Sequence, residues 1–282
     1  MKYAITAATG NFGKIAVKKL ADLVGQDNVI VIARNEEKAT QMFPGFEVRQ
    51  AAYDEVDPLI QALAGVERVL FISSQPGQAI PRSQQHENVV TALKQAGVSY
   101  VAYTGFAHAQ ESPNALANDH QLTEKLLAES GLNYSILRNN WYLENEIDFL
   151  QAGSEGKRIT YWASDKAGWA LEREYAEAAV KVLVSENPKQ IYEFAGPIRS
   201  YAQLAQALQE ATGKEFDVAH LTEAAYVDDL VASGLDQATA ELFASFQAPI
   251  ADGSLNHPEN DLAEVLGHPV TDLVEAIKEV LA

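Results

Sequence analysis

Residues 3–16 read Tyr3-Ala-Ile-Thr-Ala-Ala-Thr-Gly-Asn-Phe-Gly-Lys-Ile-Ala16: an apolar strand, a turn of small residues, then the start of an amphipathic helix. This is the form of a loop that holds a dinucleotide. Gly10 and Gly13 let the backbone approach a pyrophosphate, whose charge then meets unpaired amide N–H groups at the positive end of the helix. The full glycine fingerprint would place another glycine at position 7, where this chain has Ala7, so the loop is judged with its surroundings. Ile15, Val17, Leu20 and Leu23 recur along the following helix, and a second apolar run spans Asn28 to Ala33. An ordinary strand-to-helix turn shares the glycines, but strand, loop, helix and second strand in this order form half of a nucleotide-binding sheet.

The alternation continues outward from this unit. Strands are predicted over 3–6, 28–33, 47–51, 68–73, 100–104 and 134–138, with helices over 12–23, 36–42, 56–64, 82–96 and 120–130. Such a rhythm implies parallel strands joined by right-handed helical crossovers. It loosens after Arg138, where Gly153, Gly156, Gly168, Trp162 and Trp169 fall in a turn-rich stretch. A helix over 172–184 and a strand over 191–195 follow, the strand returning to the edge of the first sheet. Helices are then predicted over 201–211, 222–233, 236–246 and 271–281, with one strand over 215–221. The expected fold class is α/β: a Rossmann-like doubly wound parallel sheet over 1–150, completed by 172–196. A smaller, mostly helical substrate domain is expected from 197–282 together with 151–171.

Composition removes several function classes. With no cysteine among 282 residues, disulfides, thiolate catalysis and cysteine-bound zinc are excluded. His86, His108, His120, His220, His257 and His268 lack the short spacing of metal ligands, so no metal is expected. A formal net charge of −18 disfavours direct binding to nucleic acid, which needs clustered Lys and Arg. Lys2 leads straight into a strand and no apolar run has the length of a membrane span, so neither a leader nor membrane insertion is expected. A cytoplasmic protein is the expectation, and the sequence allows a homodimer.

In an acidic chain the few basic residues near the cleft carry weight. Arg34 directly follows the second strand, where an NAD site usually has a carboxylate for the ribose hydroxyls. A guanidinium fork there suits a 2′-phosphate, with Lys38 adding charge one turn later, so NADPH is preferred. Solvation of Arg34, or its neutralisation by Glu36 or Glu37, is the plain structural alternative.

Thr6-Ala-Ala-Thr-Gly-Asn-Phe-Gly13, Ala33-Arg34, Tyr53-Asp54, Phe71-Ile-Ser-Ser74, Ala102-Tyr-Thr104 and Leu137-Arg-Asn-Asn-Trp-Tyr-Leu-Glu-Asn145 together resemble the NmrA-like atypical short-chain dehydrogenases. Within that family the similarity is to NADPH-dependent quinone oxidoreductases, and it extends to Glu193-Phe-Ala-Gly196 and Asp261-Leu-Ala-Glu-Val-Leu-Gly267. The resemblance implies a sheet domain binding NADPH and a small domain closing over the substrate. It gives Gly10, Asn11, Phe12 and Gly13 to the pyrophosphate, with Thr6 and Thr9 in the same loop, Arg34 to the 2′-phosphate, and Tyr53 and Asp54 to the adenine edge. Ser73 and Ser74 would lie along the ribose and nicotinamide, and Tyr103 and Thr104 would also face the cofactor. Serine hydroxyls at a strand end can equally bond their own backbone.

Classical short-chain dehydrogenases protonate an alkoxide with a tyrosine four residues before a lysine. Here Gln121 precedes Lys125 at that spacing, and an amide is no general acid. A quinone needs less help, because its developing charge is delocalised and water can supply the proton. Lys125 is a candidate catalytic residue for the ribose or the oxyanion, or else an exposed partner of Glu124 or Glu129. Asn140 is the other catalytic candidate, and Asn139, Trp141 and Tyr142 are substrate-binding candidates; turn chemistry and anchoring of the domain junction compete with these roles. His120 reads as a surface residue at a helix start. The sequence thus favours a reductase acting on a small quinone-like substrate, with a non-catalytic NADP(H) redox sensor that regulates a protein partner as the alternative.

Overall fold

The computed structural model describes every residue except Pro76 and Gln78. Tyr3–Ile5 (β1) and Val29–Ala33 (β2) are apolar and buried at every position, the pattern of strands covered on both faces. They are followed by Glu47–Gln50 (β3), Arg68–Phe71 (β4), Tyr100–Phe106 (β5), Asn133–Asn139 (β6), Ile159–Tyr161 (β7), Lys166–Ala167 (β8), Ile191–Phe194 (β9), Arg199–Ser200 (β10) and Val218–His220 (β11). The helices are Asn11–Val24 (α1), Glu36–Met42 (α2), Val56–Ala62 (α3), Arg82–Gln95 (α4), Ala115–Ser130 (α5), Ile147–Ser154 (α6) and Glu172–Val184 (α7). Tyr201–Thr212 (α8), Glu223–Ala232 (α9), Gln237–Phe246 (α10), Ala248–Ala251 (α11), Asp261–Leu266 (α12) and Leu273–Leu281 (α13) complete them.

Seven strands form one sheet in the order β3-β2-β1-β4-β5-β6-β9, parallel throughout. Tyr3 pairs with both Val29 and Arg68, and Ile136 with Ile191, so the strand after α7 does return to the sheet edge. Because side chains alternate along a strand, Ile5, Leu70, Ala102 and Leu137 enter the core under α1 and α7. Their neighbours Ala4, Val69, Val101 and Ile136 enter the core under α3, α4 and α5. Arg138 ties the edge together, donating to both carboxylate oxygens of Glu124 at 2.8 Å and to Glu193 at 2.7 Å.

A further core gathers Leu150 of α6, Leu204 and Leu208 of α8 and Ile277 of α13 around Trp169 and Tyr201. Two short pairs stiffen this region: β8 with β10, antiparallel, and β7 with β11, parallel. Leu262 and Leu266 of α12, expected in the small domain, instead join the core under α1 and α7. α5 begins five residues earlier than expected, because Asn114 caps it by accepting the Leu116 amide at 3.0 Å. His120 is therefore in mid-helix and buried, contrary to its reading as a surface residue. Among the described residues no helix is long and apolar enough to cross a membrane.

Candidate active site

The connections reverse direction between β1 and β4, and in sheets of this kind ligands lie at the carboxyl ends of the strands flanking that point. A cleft of about 720 Å³ opens there. A cavity of about 590 Å³ at the opposite edge touches Arg68, Tyr100 and Asn133, the first residues of β4, β5 and β6, and meets none of the loops expected to carry the site.

The cleft floor is the loop Ala7–Gly13. Ala8 N–H donates to Ile32 and Gly10 N–H to Ala7, which closes the turn between β1 and α1. A Cβ on Gly13 would stand 2.7 Å from both the Ala7 carbonyl oxygen and the Ala8 Cα, so only glycine lets α1 sit this close. Ala7 has φ +48°, the left-handed conformation for which the fingerprint normally uses glycine. No side chain at Gly10 caps α1, which leaves the first-turn amides of Asn11, Phe12 and Gly13 beside the cleft. The residues present thus fit a pyrophosphate: a cradle that a Cβ would fill, at a positive helix end.

Arg34 and Lys38 stand exposed at the rim beyond β2. Asn35 caps α2 by accepting the Lys38 amide at 2.8 Å, which sets Lys38 one turn from Arg34. Thr9, Tyr53, Asp54, Ser73, Ser74, Thr104 and Tyr142 also line the cleft. Asn88 of α4 holds the Tyr53 and Asp54 carbonyls at 2.9 and 3.1 Å. Ser73 N–H donates to Thr104 Oγ1 at 2.9 Å, and Ser74 N–H to His86 Nε2 at 3.0 Å. His86 must therefore carry its proton on Nδ1, 2.7 Å from Thr123, and burial drives its pKa down to about 3.

Six of the expected residues lie elsewhere. Thr6 is fully buried beneath the floor, where its Oγ1 accepts the Ile72 amide at 3.2 Å and lies 2.5 Å from the Tyr53 hydroxyl. Tyr103 is also buried below the cleft, with its hydroxyl 2.8 Å from His120 Nδ1. Lys125 points away: its side chain is 69% exposed and 4.0 Å from Glu129, the exposed pairing weighed against a catalytic role. Asn140 spends its amide on the Leu255 carbonyl at 3.0 Å and its oxygen on the Trp141 and Gly168 amides, so it fastens loops together. Asn139 donates to the Tyr142 hydroxyl at 2.8 Å and so fixes a cleft wall from behind. Trp141 does not line the cleft either. Its indole, like that of Trp169, donates to the buried Glu146, at 3.1 and 3.2 Å, and Tyr201 adds a hydroxyl at 2.9 Å. Burial pushes the Glu146 carboxyl up to about 7 despite these three donors.

The structure adds cleft residues that lie at helix starts rather than strand ends. Arg82 and Gln85 come from α4, and Glu172 from α7. Gln85 reaches Asp54 at 3.3 Å. Glu172 is pushed up to about 7, first by burial and then by Glu144, while the Phe12 amide and Lys14 pull the other way. Tyr142 packs at 6.2 Å against Phe12 and 5.0 Å against Tyr175, forming a flat wall beside the loop.

The sequence profile of the NAD(P)H-binding family matches residues 7–167. Quinone oxidoreductase 2 of Escherichia coli is 37% identical over 98% of this chain and 98% of its own length. An NmrA-like family oxidoreductase of Aspergillus flavus is 26% identical, over 100% of this chain and 95% of that one. The chain belongs to the NAD(P)H-binding family. Two solved structures of this NAD(P)H-binding type superpose along nearly the full length. The NADPH-dependent quinone oxidoreductase of Escherichia coli, complexed with NADPH, has TM-score 0.91 at 36% identity, over 99% of this chain and 100% of that one. Triphenylmethane reductase of Citrobacter, complexed with NADP(H), has TM-score 0.92 at 32% identity, with the same coverage of 99% and 100%.

Proposed function

We propose that this protein is an NADPH-dependent oxidoreductase that passes hydride to a quinone or a similar flat, electron-poor acceptor. The observation that carries the reading is one cleft lined together by the glycine loop, by Arg34 and Lys38 after β2, and by Thr104 of β5 and Tyr142. The quinone oxidoreductase likeness over the whole chain supports it.

In this reading the amides of Asn11, Phe12 and Gly13 receive the pyrophosphate, and Thr9 flanks them. Arg34 and Lys38 take the 2′-phosphate, which NADH lacks, and Tyr53 and Asp54 border the adenine. Ser73, Ser74 and Thr104 border the ribose and ring of the nicotinamide half. Thr6 and Tyr103 support these loops from below, Asn139 holds Tyr142, and Asn140 and Trp141 hold the second region in place. Lys125 has no part in it. NADPH, when bound, supplies the hydride.

Gln121 donates to the Ala109 carbonyl at 2.6 Å and has no acidic proton to give. A quinone suits such a site, since water protonates the reduced product and the protein's work is orientation of two flat rings. Tyr142 offers the stacking wall. The absence of cysteine and a net charge of −18 accompany a cytoplasmic location without nucleic-acid partners.

Steady-state oxidation of NADPH and of NADH, each with and without para-benzoquinone, tests the proposal. Saturable, protein-dependent turnover with a preference for NADPH is expected. Tight NADPH binding with no turnover over a range of quinones would overturn it in favour of a sensor.

A further inference from the structure

Arg82 opens α4 and lines the cleft beside Ser73, Ser74 and Thr104. Its Nη2 lies 3.1 Å from His120 Nε2, and its buried Nε has no hydrogen-bond partner among the described residues. Among the described residues no carboxylate oxygen comes within the 4.0 Å of an ion pair, and Asp119 acts on it only through space. An arginine can only donate, so His120 Nε2 must accept and Nδ1 must carry the ring's proton toward the Tyr103 hydroxyl, 2.8 Å away. Burial keeps His120 neutral. The guanidinium is thus held in place without being neutralised, at a cost in desolvation that an arriving anion would offset.

The strand order says which anion. Arg34 follows β2 and Arg82 follows β4, on opposite sides of β1. His120 and Tyr103 also tie Arg82 to α5 and β5, further from β2. A dinucleotide with its adenosine at Arg34 and its pyrophosphate over Gly10–Gly13 directs its nicotinamide toward β4 and β5, so Arg82 stands where the acceptor must lie.

We propose that Arg82 receives the acceptor oxygen on which negative charge accumulates, so that the cleft favours carbonyl acceptors, whose reduction leaves an oxyanion, over cationic ones. This rests on the hydride-transfer reading above. In the step, the quinone takes up a hydride, two electrons and one proton, while NADPH is oxidised to NADP⁺. The hydroquinone monoanion that results takes its second proton from water. Arg82 gives up no proton; its N–H groups donate to the oxyanion, and to the same oxygen once water has protonated it. A cationic triarylmethane dye meets repulsion at the same place, which separates this cleft's preference from that expressed in the name of the Citrobacter relative.

The test uses para-nitrophenolate as a stand-in for the hydroquinone monoanion, titrated by its absorbance onto the NADP⁺ complex of the full-length protein and of Arg82→Gln and Arg82→Lys. Loss of a charge-assisted donor should weaken phenolate binding about 10- to 100-fold in Arg82→Gln. Arg82→Lys, which keeps the charge and serves if the glutamine variant fails to fold, should bind it less tightly than the unaltered protein but measurably. NADPH affinity should stay within about twofold in both, since the cofactor's phosphates lie elsewhere. Equal phenolate affinity in all three proteins, or a parallel fall in NADPH affinity, would overturn the assignment. Turnover of para-benzoquinone by the same proteins separates the two claims. Unchanged turnover in Arg82→Gln refutes Arg82 alone, whereas phenolate binding through Arg82 in a protein that reduces no quinone refutes the quinone reading and leaves the anion site standing.

Discussion

Glu146→Gln should make the protein more stable in mild alkali while leaving its stability in mild acid almost unchanged. The Glu146 carboxyl is 7% exposed and enclosed by two indoles and a tyrosine hydroxyl, and burial raises its pKa from 4.5 to about 7. Between those values the native protein holds a proton that the unfolded chain has released. Native stability from this group is therefore fully present below about pH 4.5 and is lost as pH rises through 7. At about 1.4 kcal/mol per unit, the loss by mild alkali is about 3 kcal/mol. Glutamine has the shape of the protonated acid: its oxygen accepts from Trp141 and Trp169, and its amide donates to the Tyr201 oxygen. Urea unfolding followed by tryptophan fluorescence at about pH 4.5 and about pH 8 measures the difference, because other carboxylates titrate alike in both proteins. The variant should gain up to about 3 kcal/mol over the unaltered protein at the higher pH. Parallel pH profiles for the two proteins would refute the reasoning.

Other predictions concern the cleft. Arg34→Ala should weaken NADPH binding about 10- to 100-fold and NADH binding little, by calorimetry; equal losses would remove Arg34 from the 2′-phosphate. Ala7→Gly relieves a left-handed alanine and should raise stability by about 1 kcal/mol in urea, and a loss of stability would contradict the strain at φ +48°. NADPH affinity should fall as pH rises past about 7, where Glu172 ionises beside the Phe12 amide, and the fall should flatten in Glu172→Gln. An equally steep fall in that variant would acquit Glu172. Lys125→Ala should leave quinone turnover within about twofold, as expected for an exposed side chain paired with Glu129; a tenfold loss would return Lys125 to the site.

The sheet was legible wherever a strand is buried on both faces. Val29–Ala33 has no polar residue to blur its edges, and the glycine loop, incomplete at Ala7, points to the cleft once the strand before it and the helix and strand after it are read with it. Glycines misled the reading further on. Gly153 looks like a break but sits inside α6, where a Cβ would come 2.5 Å from Leu208, so its smallness serves packing. Gly168, likewise, lies where a Cβ would stand 2.7 Å from the Gly196 carbonyl oxygen. α12 escaped notice because six residues give too little periodicity.

In the site, residues 9–13, Arg34, Ser73 and Ser74 line the cleft where their places after β1, β2 and β4 put them, whereas Thr6, directly after β1, is buried beneath the floor. Arg82 and Glu172 were not legible, because each stands at the start of a helix well removed from a strand end and meets the cleft only through the packing of α4 and α7. The Asn139–Tyr142 block shows the reverse limit. Its residue types fit a substrate pocket, yet Asn140 and Trp141 are consumed by Leu255, Gly168 and Glu146, partners distant in sequence or on the far side of a turn.

Hydride delivery from NADPH to a quinone in this cleft is open to direct measurement. Rapid mixing of the NADPH-loaded protein with para-benzoquinone under anaerobic conditions, following nicotinamide absorbance and hydroquinone together, tests it most directly. One hydroquinone should form per NADPH consumed, at a rate that saturates with quinone and exceeds the reaction in free solution. NADPH that stays bound and unoxidised at high quinone concentration would contradict it.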